Sequence, residues 1–214
     1  MKNTADSGLS EVVSVVLILT MLILTVAMIA LIVLPIMGTN AEQVHNGDIL
    51  LEFAQMKADV DTVWLSNSTN ITRQAVFTLS PAGDRTEVTI VPNLLSLASF
   101  GTVMLTYDDT ITYDVDTETY ANVNIIYTTS NMYAEDIELV YDGGNLSQND
   151  QILLPGSVSG SERYIVVVNT AEVAETSISG SGVVTLTYRL EQIIDPAPGS
   201  SDLYHLCVFS MELQ

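Results

Sequence analysis

The segment Val12 to Leu34 reads VVSVVLILTMLILTVAMIALIVL, 23 residues without a charge. As a helix rising 1.5 Å per residue it would extend roughly 35 Å, enough to cross a bilayer core of about 30 Å. We therefore expect a membrane-spanning helix here. Pro35 follows directly and marks an expected end or kink, because its ring removes a backbone donor and crowds the preceding turn. The next charge is Glu42, so the uncharged stretch continues past the proline.

A cleavable secretory signal is the weaker reading, although Thr39-Asn40-Ala41 offers small residues for a cut. The apolar run far exceeds the 7–15 residues of a signal core, and the residues before it carry Asp6 and Glu11 against Lys2 alone. Lys2 is also the last basic residue before Lys57, so the bias of basic residues towards the cytoplasm puts the N-terminus inside and residues 38–214 outside.

Charge is distributed as unevenly as hydrophobicity. The chain of 214 residues has a formal charge of -20, yet residues 9–37 contain only Glu11, while residues 67–214 hold 19 acidic side chains and 4 arginines. A greasy stem and an acidic, water-exposed head account for both. So few basic residues leave no footprint for nucleic acid or an anionic membrane surface. With Cys207 the single cysteine, neither an intrachain disulfide nor a cysteine zinc cluster can form.

The junction before the span reads Lys2-Asn3-Thr4-Ala5-Asp6-Ser7-Gly8-Leu9-Ser10-Glu11-Val12. A short polar leader, a glycine, an acid within a few positions and then a long apolar helix resembles the class III signal of archaeal type IV pilins and pilin-like proteins. Ser10-Glu11-Val12 opening the span, Pro35 closing it and Glu42-xx-His45-Asn46 after it carry the same resemblance, which covers about the first 60 residues. The resemblance implies cleavage after Gly8 by a membrane prepilin peptidase, leaving Leu9 as the new N-terminus. It further implies extraction by an ATP-driven assembly platform into a helical filament with copies of itself and other pilins. Two positions depart from the pattern. Asp6-Ser7 stand before Gly8 where many prepilins have a basic residue, and Glu11 would be third in the mature chain where bacterial pilins have their acid fifth.

Two roles are open for Glu11. A terminal amine with a pKa near 8 is charged around neutral pH, so in an apolar filament core the Glu11 carboxylate of a neighbouring subunit would pair with it. Alternatively Glu11 complements the dipole of the first helical turn at the water interface.

Beyond the proline, Ile49, Phe53, Met56, Val60, Val63 and Trp64 recur at helical spacing, which predicts an amphipathic helix whose stripe packs on the head. Asp48, Glu52, Gln55, Asp59 and Asp61 are expected on its wet face. Thr39-Asn40 gives an N-cap signal, so a hinge is expected over Pro35 to Asn40.

From Gln74 the pattern alternates and β-branched and aromatic residues dominate. Strands are expected at 74–79, 86–91, 102–107, 110–115, 120–127, 137–141, 164–169, 183–190 and 203–213. Turn chemistry separates them at Pro81-Ala82-Gly83-Asp84, Asp108-Asp109, Asp142-Gly143-Gly144-Asn145 and Ser179-Gly180-Ser181-Gly182, with loops at 155–162 and 196–202. The expected fold is α+β: a long hydrophobic helix kinked near Pro35, an amphipathic helix, then an antiparallel β-sandwich-like head. The divisions are 1–8 leader, 9–37 span, 38–66 stalk helix and 67–214 extracellular β domain.

Chemistry-bearing motifs are few. Asp114-x-Asp116-x-Glu118 fails the EF-hand template, since Thr119 replaces the glycine and Ile125 the final glutamate. Alternation makes these acids the solvated face of a strand, leaving Asp108-Asp109 as the better oxygen-rich loop. His205 and Cys207 share one strand face, yet side chains two apart there lie about 7 Å from each other, too far for a hydrogen bond. His45, with Glu42 on the same helix, reads as structural, and Gly156 to Ser161 lacks the lysine of a phosphate loop. Asn67, Asn70 and Asn145 each head a glycosylation triplet. We therefore expect a structural surface subunit, with no enzyme activity, cofactor or metal. The competing expectation is a tethered adhesin or binding ectodomain that never polymerises.

Overall fold

The computed structural model describes residues 4–81, 99–115, 118–156, 158–159, 162–195 and 204–214. Its first element is a helical rod: α1 (Thr4–Met28), a π turn (Ile29–Val33) and α2 (Leu34–Leu65) follow without a break. The proline explains the π turn. Pro35 has no N–H to donate and its ring presses on the carbonyl four residues earlier, so the ladder widens over the preceding turn and restarts with Pro35 in the first turn of α2. The hinge expected over Pro35 to Asn40 is thus corrected to an irregularity within a continuous helix. Thr39 is no N-cap either, because its hydroxyl donates back to the Pro35 carbonyl at 2.9 Å.

The apolar half of the rod packs on nothing in the monomer. Val12 through Val33 are exposed wherever described, and this is the one helix among the described residues long and apolar enough to cross a membrane. The second half differs. Ile49, Phe53, Met56, Val60, Val63 and Trp64 are all buried, as their spacing predicts.

α2 ends in a Schellman motif. Asn67 adopts φ +47°, its N–H reaches the Trp64 carbonyl at 3.0 Å and the Ser68 N–H reaches Val63 at 3.1 Å. The chain then turns into the head, where the strands are β1 (Thr72–Thr78), β2 (Phe100–Val115), β3 (Glu118–Ser130), β4 (Glu138–Asp142), β5 (Asn145–Gln148) and β6 (Gln151–Leu154). They continue with β7 (Val158–Ser159), β8 (Glu162–Asn169), β9 (Thr176–Gly180), β10 (Val183–Ile194) and β11 (Tyr204–Leu213). The architecture is α+β, as expected.

Hydrogen bonds link these strands into one curled sheet in the order β1-β10-β11-β8-β3-β4-β5-β6, with β2 and β9 added beside β3 and β7 beside β8. All pairs are antiparallel except β8 with β11. The curl originates at β3. Tyr120 to Asn122 pair with β8, while Asn124 to Thr128 pair with β4 on the same edge. Gly143, at φ +52° in the β4–β5 turn, sits where the two diverge, donating to Val123 and accepting from Val166, both at 3.1 Å. The sheet wraps α2: Phe53 stacks near Phe77 of β1 (4.7 Å between ring centres) and Tyr127 of β3 (6.2 Å), and Trp64 near Tyr164 of β8 (4.6 Å).

Three expectations need correction. The strands foreseen at 102–107 and 110–115 are one strand, β2, and Asp108-Asp109 is a bulge rather than a turn. From Asp108 to Thr112 β2 advances four residues while β3 moves one, Asn122 to Ala121. Asp114 and Glu118 lie on different strands at a hairpin end, so these acids do not form one strand face. The expected strand at 86–91, the loop at 196–202, Asp116 and all of the expected turn at 81–84 except Pro81 lie outside the described residues.

Candidate functional site at the helix–head junction

Glu42 and His45 occupy the helical phase of the buried stripe, seven and four residues before Ile49. The structure buries both, Glu42 completely. One Glu42 oxygen accepts hydrogen bonds from the Ser99 hydroxyl at 2.5 Å and the Met132 N–H at 2.8 Å. The other accepts from the N–H groups of Tyr133 at 2.9 Å and Ala134 at 2.6 Å. Three successive backbone donors thus converge on one side chain, a nest suited to an anion. Burial pushes the carboxyl pKa up, but Ser99 and the Ala134, Met132 and Tyr133 N–H groups together outweigh it and hold it below its ordinary value.

The loop that supplies the nest rests on a glycine. A Cβ on Gly38 would fall 2.3 Å from the Tyr133 ring, so only glycine permits this approach. Nearby, His45 Nε2 lies 3.1 Å from the Tyr127 hydroxyl, which donates to the Thr78 carbonyl at 3.3 Å. Burial, aided by the charge of Glu52, raises the Tyr127 pKa well above its ordinary value, so it is a neutral donor. Gly101 makes room for that hydroxyl, which an added Cβ would meet at 2.5 Å.

Two acids assigned to the wet face of α2 are half-buried instead. Glu52 accepts from the Thr78 N–H at 3.2 Å, and Asp61 accepts from the Tyr164 hydroxyl and from buried Lys57, with both oxygens 3.0 Å from Nζ. Sequence reading missed them because periodicity marks only apolar positions. The signal available was their phase, one position from Phe53 and from Val60. Their role, like that of Glu42, is to fix helix to head.

The other named residues are dispersed. Gly8 and Leu9 lie within α1, and Glu11 is exposed just before its apolar run begins at Val12. Asn67 and Asn70 are exposed between α2 and β1, both with positive φ. Asn145 starts β5 with its amide engaged: Oδ1 accepts from Gly156 N–H at 2.9 Å and Nδ2 donates to the Asp142 carbonyl at 3.3 Å. His205 and Cys207 do not meet. His205 Nδ1 is 3.0 Å from Asp195, whereas Cys207 is fully buried in the main core and burial raises its thiol pKa to about 12. Asp142 faces Asp108, and burial together with that charge raises its pKa. Among the described residues no group of three or more His, Cys, Asp or Glu is placed to hold a metal ion.

Comparison with protein-family models, with curated proteins and with solved structures gives no match for this chain.

Proposed function

We propose that this chain is a structural subunit of an archaeal type IV pilus-like surface filament. It is held in the membrane by Val12 to Leu34 and assembles through the same helix, with the head outside the cell. The observation that carries this reading is a stripe of exposed apolar residues on the side of α2 facing away from the head. Met37, Val44, Leu51, Ala58 and Leu65 recur every seven residues, and the four larger ones are 41%, 49%, 57% and 62% exposed. A simple tether has no use for an apolar face on the half of its helix that stands in water. A helix packing against copies of itself does, and a seven-residue repeat is the period of a left-handed helical seam. The stripe continues the exposed apolar surface of α1, so span and stalk offer one uninterrupted contact.

On this reading a prepilin peptidase cuts after Gly8, and the helix passes from lipid into a bundle of neighbours without exposing apolar surface to water. Glu11 then lies where the new terminal amine of an adjacent subunit needs a counter-charge. The decisive experiment is mass spectrometry of surface material combined with electron microscopy. Leu9 as the first residue, in filaments, is the expected result. An intact Met1 on unassembled surface protein would establish the tethered ectodomain instead.

A further inference from the structure

The head stands directly on the end of the span. The loop 131–136 touches α2 at Gly38, four residues beyond Leu34, or about 6 Å along the helix axis. The polar layer on each side of a bilayer is of order 5–7 Å thick, the difference between about 40–45 Å overall and a 30 Å hydrocarbon core. No flexible segment lifts the head away, because α2 is continuous and Glu42 is gripped by four donors from that loop and from Ser99.

The residues at this level suit that position. Met132, beside the Glu42 nest, is 57% exposed, and Phe100, next to Ser99 and paired with Ser130, is 46% exposed. Tyr133 lies half-buried against Gly38. Two large apolar side chains facing outwards beside a tyrosine, at one end of a strongly acidic head, match the composition of an interfacial belt. Resting on the reading of Val12 to Leu34 as a membrane span, we propose that Phe100, Met132 and Tyr133 form a foot that inserts into the lipid interface and fixes the head upright on the unassembled subunit. The ligand is the boundary between headgroups and acyl chains, and the contact is apolar. Exposed Glu135 and Asp136 in the same loop make an uncharged lipid surface the better partner.

The test uses the full chain in phosphatidylcholine vesicles, at less than one chain per vesicle, with nitroxide labels on Met132→Cys, Leu22→Cys and Asn70→Cys. Buried Cys207 stays unlabelled. Accessibility to oxygen against a water-soluble nickel complex reports depth. Position 22 is expected in hydrocarbon, 70 in water and 132 at headgroup depth, with oxygen access raised and nickel access at least several-fold below that at 70. If 132 is as open to nickel as 70 while 22 is in hydrocarbon, the foot is wrong and the span stands. Low access of both reagents at 132 would mean protein covers it, which also overturns the foot. If 22 itself lies in water, the span reading fails and the foot with it.

Discussion

The carboxylate of Glu42 lies 2.5 Å from the hydroxyl of Ser99, joining the stalk helix to the start of β2 across 57 residues of chain. With the three N–H groups of Met132 to Ala134 it forms a polar tie at the end of the head nearest the apolar half of the rod. Glu42→Gln keeps the shape but loses the charge, and hydrogen bonds to a charged acceptor are worth more than neutral ones, so we expect a loss of about 2–3 kcal/mol at pH 7. The pH dependence has a definite sign. A folded-state pKa below the ordinary 4.5 means the contribution is complete above that value and disappears as pH falls through the folded pKa. Melting curves in detergent should therefore separate wild type from Glu42→Gln at pH 7 and bring them closer at low pH. A gap that persists at low pH would show that the charge is not the source.

Gly38 gives a second handle on the same junction. Gly38→Ala places a methyl within 2.3 Å of the Tyr133 ring, and relief requires the ring or the whole loop to move. Overpacking of this kind costs about 1–3 kcal/mol. Adding Tyr133→Ala should recover part of that loss, since the clash disappears with the ring. A double-mutant cycle measured by denaturant unfolding checks this, and additive effects would place the strain elsewhere.

How far the fold was readable follows from these same residues. The six-residue stripe from Ile49 to Trp64 was legible because it is apolar and helically spaced, and the structure buries every member. Glu42, His45 and Lys57 share that buried face but carry polar signatures, so their burial depends on partners distant in sequence that no local pattern reveals. Pro35 was legible as an irregularity but not in form. Local chemistry says that a donor is missing, and the energetics of the whole helix decide between a hinge and a widened turn. The short strands β5, β6, β7 and β9 were overlooked because NLSQ, QILL, VS and TSISG carry little alternation of their own and are recruited by neighbours already in the sheet.

The three glycosylation triplets are not equivalent sites. Asn67 and Asn70 present exposed side chains at the far end of the helix, while both ends of the Asn145 amide are engaged at the β4–β5 turn. Attaching a sugar to Asn145 Nδ2 would disturb the amide that also receives the Gly156 N–H. In cells with an N-glycosylation system, Asn67→Gln and Asn70→Gln should each remove mass from the protein and Asn145→Gln should not. Glycopeptide mass spectrometry reads this directly, and occupancy at Asn145 would contradict it. Asn67→Gly should meanwhile keep or raise stability, because glycine takes the positive φ at this helix end more readily.

Cys207 should behave as an inert core residue. Its thiol is fully buried and burial raises its pKa to about 12, so thiolate is scarce below pH 10. We expect no labelling by iodoacetamide at pH 8 in the native protein and complete labelling in denaturant. Rapid native labelling would mean that β11 opens locally. Cys207→Ser should destabilise the protein by leaving a hydroxyl among apolar neighbours, whereas Cys207→Ala or Cys207→Val should be better tolerated.

The outward stripe on α2 gives the sharpest separation between a filament subunit and a tether. Leu51 and Leu65 are 57% and 62% exposed, so a glutamate at either position keeps its carboxylate in water within the subunit. Exposed substitutions of this kind usually change stability by less than about 0.5 kcal/mol. If copies pack along the stripe, each Leu51→Glu subunit loses the burial of a leucine, about 1.5–3 kcal/mol, and places a carboxylate against its neighbour at every repeat. The expected outcome is a variant that reaches the membrane and melts like wild type but yields no filaments, scored by electron microscopy and by sheared surface fractions. Gln43→Glu on the same helix is an exposed control off the stripe and should assemble normally. Filaments of ordinary number and length from a Leu51→Glu/Leu65→Glu double variant would remove the stripe from the assembly contact. Polymerisation would then have to run through the apolar surface of α1 alone.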